Sequence, residues 1–138
     1  MRKKFLRLGA LLCAVSVMLG AFGAHGLKEI ISVEQLAVFK TAVHYQFIHA
    51  IAILAIGILL YIRKTSWMPI AGWLFLGGII CFSGSLYLLS VKDIFDIPGS
   101  LVGPITPIGG LLFIAGWLTL LASTYQSNEK RYRKAHSE

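Results

Sequence analysis

The chain has 138 residues, 57% of them hydrophobic and 14% charged, with a net charge of +7 and a mean hydropathy of +0.75. A soluble domain of this size has too little interior to hide so much apolar surface, so the composition points to a bilayer as solvent and to a single domain over residues 1–138. The positive charge does not indicate nucleic acid, because the 13 basic residues gather at the chain ends and between apolar runs, as they do in membrane proteins.

Four stretches, 8–27, 41–62, 65–91 and 97–128, contain no charged side chain, and a spanning helix needs about 20 apolar residues. They predict an all-α fold, an integral membrane four-helix bundle. The expected spans lie near 5–24, 45–62, 69–91 and 106–125, followed by a basic tail over 126–138. The start, "MRKKFLRLGALLCAVSVMLGAFGAHG", also has the basic, apolar and small-residue order of a secretory signal. Its apolar run continues for about 17 residues past Arg7, beyond the 7–15 of a signal core, so a retained first helix is expected. Cys13 and Cys81 lie in apolar runs without ligand spacing and read as buried thiols that say nothing about compartment.

The second helix is expected to start ahead of its span. "SVEQ" at 32–35 fits a capping box, with Ser32 accepting from the first turn and Gln35 reaching back. Leu36, Phe39 and Val43 then recur at helical spacing, with Glu34 and Lys40 off that face. A helix over 33–62 would be about 45 Å long, more than the apolar layer is thick. Its first three turns therefore form an amphipathic extension outside the membrane or along its outer surface.

On the third span Ser83, Tyr87 and Ser90 share a face, beside a small stripe of Gly77, Cys81, Gly84 and Ser85. Small residues at such spacing let helices approach closely. In "GPITPIGG" Thr106 suits an N-cap and Pro107 the first helical position. Gly109 and Gly110 follow in the first turn, where another backbone or a headgroup can come close.

Charge predicts orientation. Arg2, Lys3, Lys4, Arg7, Arg63, Lys64, Lys130, Arg131, Arg133 and Lys134 fall on the side of the termini, against Lys28, Lys40 and Lys92 on the other. That bias predicts a multi-pass protein of the cell membrane with both termini cytoplasmic. The tail "KRYRK" is expected to rest against anionic lipid, although a solvated stop-transfer flank has the same composition.

With that topology His25, Tyr45, Gln46, His49, Ser83, Ser85, Tyr87 and Thr106 fall in the outer half of the membrane. They form a candidate polar network or ligand site. The inner half is nearly all hydrocarbon apart from Trp73, Trp117 and glycines. His44 and His49 are five apart, about 140° around a helix, and cannot share a metal without distortion. A metal or haem would need His25 with one of them. There is no HExxH and no cysteine pair, so no metal or cofactor is expected, and hydrogen bonding between helices is the default role of these groups. All six acids lie outside the spans, which disfavours proton-coupled transport. No nucleophile motif, phosphate loop or dinucleotide fingerprint is present, so no enzyme is expected.

"GAFGAHGLK" at 20–28, "YQFIHA" at 45–50, "FSGSLYLL" at 82–89 and "GPITPIGG" followed by "GW" within 103–117 resemble the small membrane proteins of domain of unknown function 423. That family includes the UPF0382 proteins and transmembrane protein 256. The resemblance covers residues 8–125 and implies a small integral membrane protein without an established activity. The positions matching its motifs are His25, Tyr45, Gln46, His49, Ser83, Gly84, Ser85, Tyr87, Thr106, Pro107, Gly109, Gly110 and Trp117. His44 departs from the pattern, since relatives carry another polar residue there, and "VKDIFDIPGSLV" is longer than usual. The function expected is a non-catalytic scaffold, assembly or lipid-contacting protein, partnered by the bilayer and by a second copy or another membrane protein. The alternative is an oligomeric binding or transport bundle whose outer polar cavity takes a small ligand, lipid headgroup or haem.

Overall fold

The computed structural model describes residues 1–63 and 65–135, with side chains described to residue 125. Its long helices are α1 (Arg2–His25), α2 (Val33–Ile62), α3 (Trp67–Ser90) and α4 (Ile105–Ala135). A 3-10 turn, Leu27–Glu29, follows α1, and one helical turn, Gly99–Val102, precedes α4. Among the described residues four helices are long and apolar enough to cross a membrane, and the expected spans fall on them, the third running one residue past Ser90. α1 packs mainly on α2 and α4 mainly on α3, while α2 and α3 meet in the centre. The side chains of the basic tail, with its expected lipid contact, lie outside the described residues.

The capping box at the start of α2 forms as expected. Ser32 Oγ accepts from the Gln35 backbone N–H at 3.1 Å, and Gln35 Oε1 accepts from the Ser32 N–H at 3.1 Å. Gln35 then reaches further, its Nε2 donating to Asp93 Oδ2 at 2.6 Å. Phe39 is buried, its ring 5.1 Å from that of Tyr87. The amphipathic extension is thus held against the bundle and the loop after α3. In that loop Asp96 takes a left-handed φ of 50°, which a short side chain able to bond locally tolerates.

α3 is interrupted by a π-helical turn, Ile79–Ser83, where the Gly84 N–H reaches back to the Ile79 carbonyl. One extra residue in a turn advances everything beyond it by about 100° around the axis. The small stripe expected from uniform helical spacing is therefore broken. A Cβ on Gly84 would meet only the Ile79 carbonyl, at 3.9 Å, and one on Gly110 only the edge of the Phe82 ring, at 3.9 Å. A Cβ on Gly77 would stand 3.3 Å from Leu112 Cδ1. Gly109 is the expected packing glycine that matters most, because its missing side chain admits the Phe82 backbone itself. α4 begins at Ile105, so Thr106 is its second residue and not its N-cap. The Thr106 hydroxyl is turned to Ser85 on α3 instead, as described below.

Toward the end of the bundle that holds Arg2 and Ile62, the interior is apolar: Phe5, Ile53, Ile56, Met68 and Phe75 are its centre. Here α1 and α2 touch backbone to backbone. A Cβ on Gly9 would stand 2.6 Å from Leu54 N, and one on Gly57 would stand 2.8 Å from Leu6 N. Cys13 and Cys81 are free and half-buried, less enclosed than their apolar surroundings in sequence suggest.

Candidate functional site

Above the apolar core lies a layer of polar side chains, several of which join different helices. Gln46 on α2 is the first centre. Its Nε2 donates to the Leu12 carbonyl of α1 at 3.2 Å, and its Oε1 accepts from the Tyr87 hydroxyl of α3 at 2.8 Å. One amide thereby fastens three helices. Leu12 O also accepts from the Ser16 hydroxyl, at 2.8 Å.

His49, one turn further along α2, is the second centre. Its Nδ1 lies 2.7 Å from the Tyr45 carbonyl, and its Nε2 accepts from the Trp117 indole N–H of α4 at 3.1 Å. A carbonyl only accepts and an indole N–H only donates, so both partners together require the neutral ring with its proton on Nδ1. The ring is stacked on Phe113 with centroids 3.5 Å apart, and Phe75 and Trp117 stand at 5.5 and 5.9 Å. Neither ring nitrogen is left over for a ligand.

The third link joins α3 to α4, with Ser85 Oγ and Thr106 Oγ1 2.6 Å apart and Ser85 also donating to the Phe82 carbonyl at 2.9 Å. Ser90 bonds only to its own helix, at the Tyr87 carbonyl. Ser83 is completely buried, and its hydroxyl has no partner among the described residues. It is the last residue of the π turn.

Of the eight residues singled out from sequence, the structure brings Gln46, His49, Ser85, Tyr87 and Thr106 into hydrogen bonds between helices. Tyr45 takes part through its carbonyl and through its ring, 4.6 Å from Phe82, while its hydroxyl makes no bond among the described residues. His25 stands exposed at the end of α1, outside the hydrogen-bonded set. Trp117 is the member that depth counting missed. Counted along the helix it belongs to the hydrocarbon half, and only the tertiary structure brings its N–H to His49. Beside this layer an aromatic groove of about 420 Å³ opens between α2 and α4, lined by His44, Tyr45, His49, Phe82, Phe113 and Trp117 among others. No group of three or more metal-ligating side chains occurs among the described residues.

The comparisons with known proteins agree on a family whose activity is unknown. Residues 19–110 match the family described as "Protein of unknown function (DUF423)". A UPF0382 membrane protein of Staphylococcus haemolyticus is 46% identical over 126 residues, covering 90% of this chain and 97% of the relative. One of Staphylococcus saprophyticus is 44% identical over 126 residues, covering 90% and 98%. The UPF0382 membrane protein YwdK of Bacillus subtilis is 41% identical over 122 residues, covering 88% and 95%. None of these relatives bears an enzymatic name, and no solved structure matches the chain. With four helices able to span a bilayer and a match of this extent, the chain belongs to the DUF423 family of UPF0382 membrane proteins.

Proposed function

We propose that this protein is a non-catalytic scaffold or assembly subunit of the cell membrane, with both termini cytoplasmic. It works by offering a stable helical surface to lipid and to neighbouring membrane proteins. One observation carries the reading: the polar groups of Gln46, Tyr87, His49, Trp117, Ser85 and Thr106 are engaged with one another or with helix carbonyls. A catalytic or coupling site needs groups free to meet a substrate or proton in the membrane. These groups instead act as interhelical glue.

The test is purification in mild detergent followed by an absorption spectrum and metal analysis. The reading expects no Soret band and no stoichiometric metal. Cysteine substitutions at Asp96 and Glu138 should label from opposite sides, with position 138 cytoplasmic. A bound chromophore or metal would instead favour an oligomeric binding or transport bundle, for which the aromatic groove beside His49 is the supporting observation.

A further inference from the structure

A second groove, of about 370 Å³, lies between α1 and α2. All its lining residues belong to these two helices. Gly20 and Gly23 bound it on α1, while Phe39, Val43 and Phe47 bound it on α2. Its size falls within the range of about 300–1,000 Å³ typical of ligand pockets. Val17 at its edge is 64% exposed, so the groove opens sideways toward the space a bilayer fills.

Its polar rim is Lys40, with His44 one turn further on. Counting back from Ile62, the about 20 residues that cross the apolar layer reach Val43. Lys40 is then about one turn, roughly 5 Å, beyond the hydrocarbon, at the depth of lipid phosphates. Among the described residues it has no carboxylate within ion-pair distance; the ion pair they contain is Lys28 with Glu29. A cation without a protein counter-charge, set over an apolar slot within the hydrocarbon, is complementary to a molecule with an anionic head and a flexible apolar tail.

We propose that this groove is a binding site for one anionic glycerophospholipid. An acyl chain lies along Gly20, Val43 and Phe47, the phosphate pairs with the Lys40 ammonium, and the His44 ring offers a second donor. The inference goes beyond the scaffold reading, because neither Lys40 nor the apolar lining takes part in the hydrogen-bonded layer. Either can fail alone.

The experiment uses the full chain in detergent, with dioleoylphosphatidylglycerol or dioleoylphosphatidylcholine added, read by native mass spectrometry and thermal unfolding. The wild type should retain one phosphatidylglycerol, and its midpoint should rise by several degrees more with that lipid than with phosphatidylcholine. Lys40→Gln should lose this preference, while Lys92→Gln, outside the groove, should keep it. Gly20→Leu places a side chain in the groove where the nearest atom to its Cβ is Val43 Cγ1 at 3.6 Å, so it should fold and lose retention of both lipids. Equal response of the wild type to the two lipids, or an undiminished preference in Lys40→Gln, overturns the proposal. So does a Gly20→Leu protein that keeps its lipid but changes its oligomeric mass, since the groove would then meet a second copy.

Discussion

Near Ile62 the helices meet through shape, whereas around Gln46 and His49 they meet through hydrogen bonds. In the first region Gly9 and Gly57 bring α1 and α2 into backbone contact over a core of Phe5, Ile53, Ile56 and Phe75. In the second, the links are Tyr87 to Gln46, Trp117 to His49 and Ser85 to Thr106. Lipid tails are as apolar as leucine, so exchanging lipid contact for helix contact yields little unless the fit is close. A polar group without a partner in the same solvent costs several kcal/mol. The two regions should therefore fail differently: one when volume is added, the other when a hydrogen-bonding group is removed.

Gly9→Leu should have the largest effect. Its Cβ alone would collide with the Leu54 backbone, and overpacking of this kind costs about 3 kcal/mol at the upper end. Thermal unfolding in detergent should drop sharply, and an unchanged midpoint would show that α1 and α2 do not meet this closely.

Tyr87→Phe keeps the ring beside Phe39 and removes only the donor to Gln46. The expected loss is about 1.5 kcal/mol, near the maximum measured for interhelical hydrogen bonds in membranes, because Gln46 Oε1 is left unpaired. An unchanged unfolding midpoint in Tyr87→Phe argues against this link.

His49→Gln should cost less, about 0.5–1 kcal/mol, since the amide oxygen can still accept from Trp117 and only the stacking on Phe113 is reduced. Trp117 fluorescence measured in a Trp67→Phe, Trp73→Phe background should shift little. A large shift or outright unfolding would mean that the imidazole does something an amide cannot.

Gly84→Ala should be the smallest effect, within about 0.5 kcal/mol. The only neighbour its Cβ would meet is 3.9 Å away. This variant separates the π turn from uniform helical spacing, because the small stripe expected on an uninterrupted helix would make Gly84 a tight contact. A marked loss of stability would restore that stripe.

Much of the fold was legible in the sequence. The spans follow from charge-free runs, and the long α2 with its extension follows from "SVEQ" and the apolar spacing after it. The concentration of polar side chains toward one end also followed from counting depth. Three things were not legible. Thr106 looked like a cap because Thr before Pro usually is one, yet its hydroxyl is drawn to Ser85. His25 and Ser83 belonged to the polar set by depth, but depth carries no information about rotation around the helix axis. Trp117 looked like a member of the hydrocarbon half, although its N–H completes the His49 pair.

The sequence by itself determined that the chain is a membrane bundle, how many helices it can send across, and which family it joins. These depend on local sums of hydropathy and charge and on short motifs, which neighbouring residues specify without knowledge of the fold. Only the tertiary structure decided who pairs with whom. Gln46 finds Tyr87 41 residues away, and His49 finds Trp117 68 residues away. Such choices depend on the relative rotation and depth of separate helices. A single π turn shifts that rotation by about 100°, and nothing in the local spacing of "IICFS" announces it.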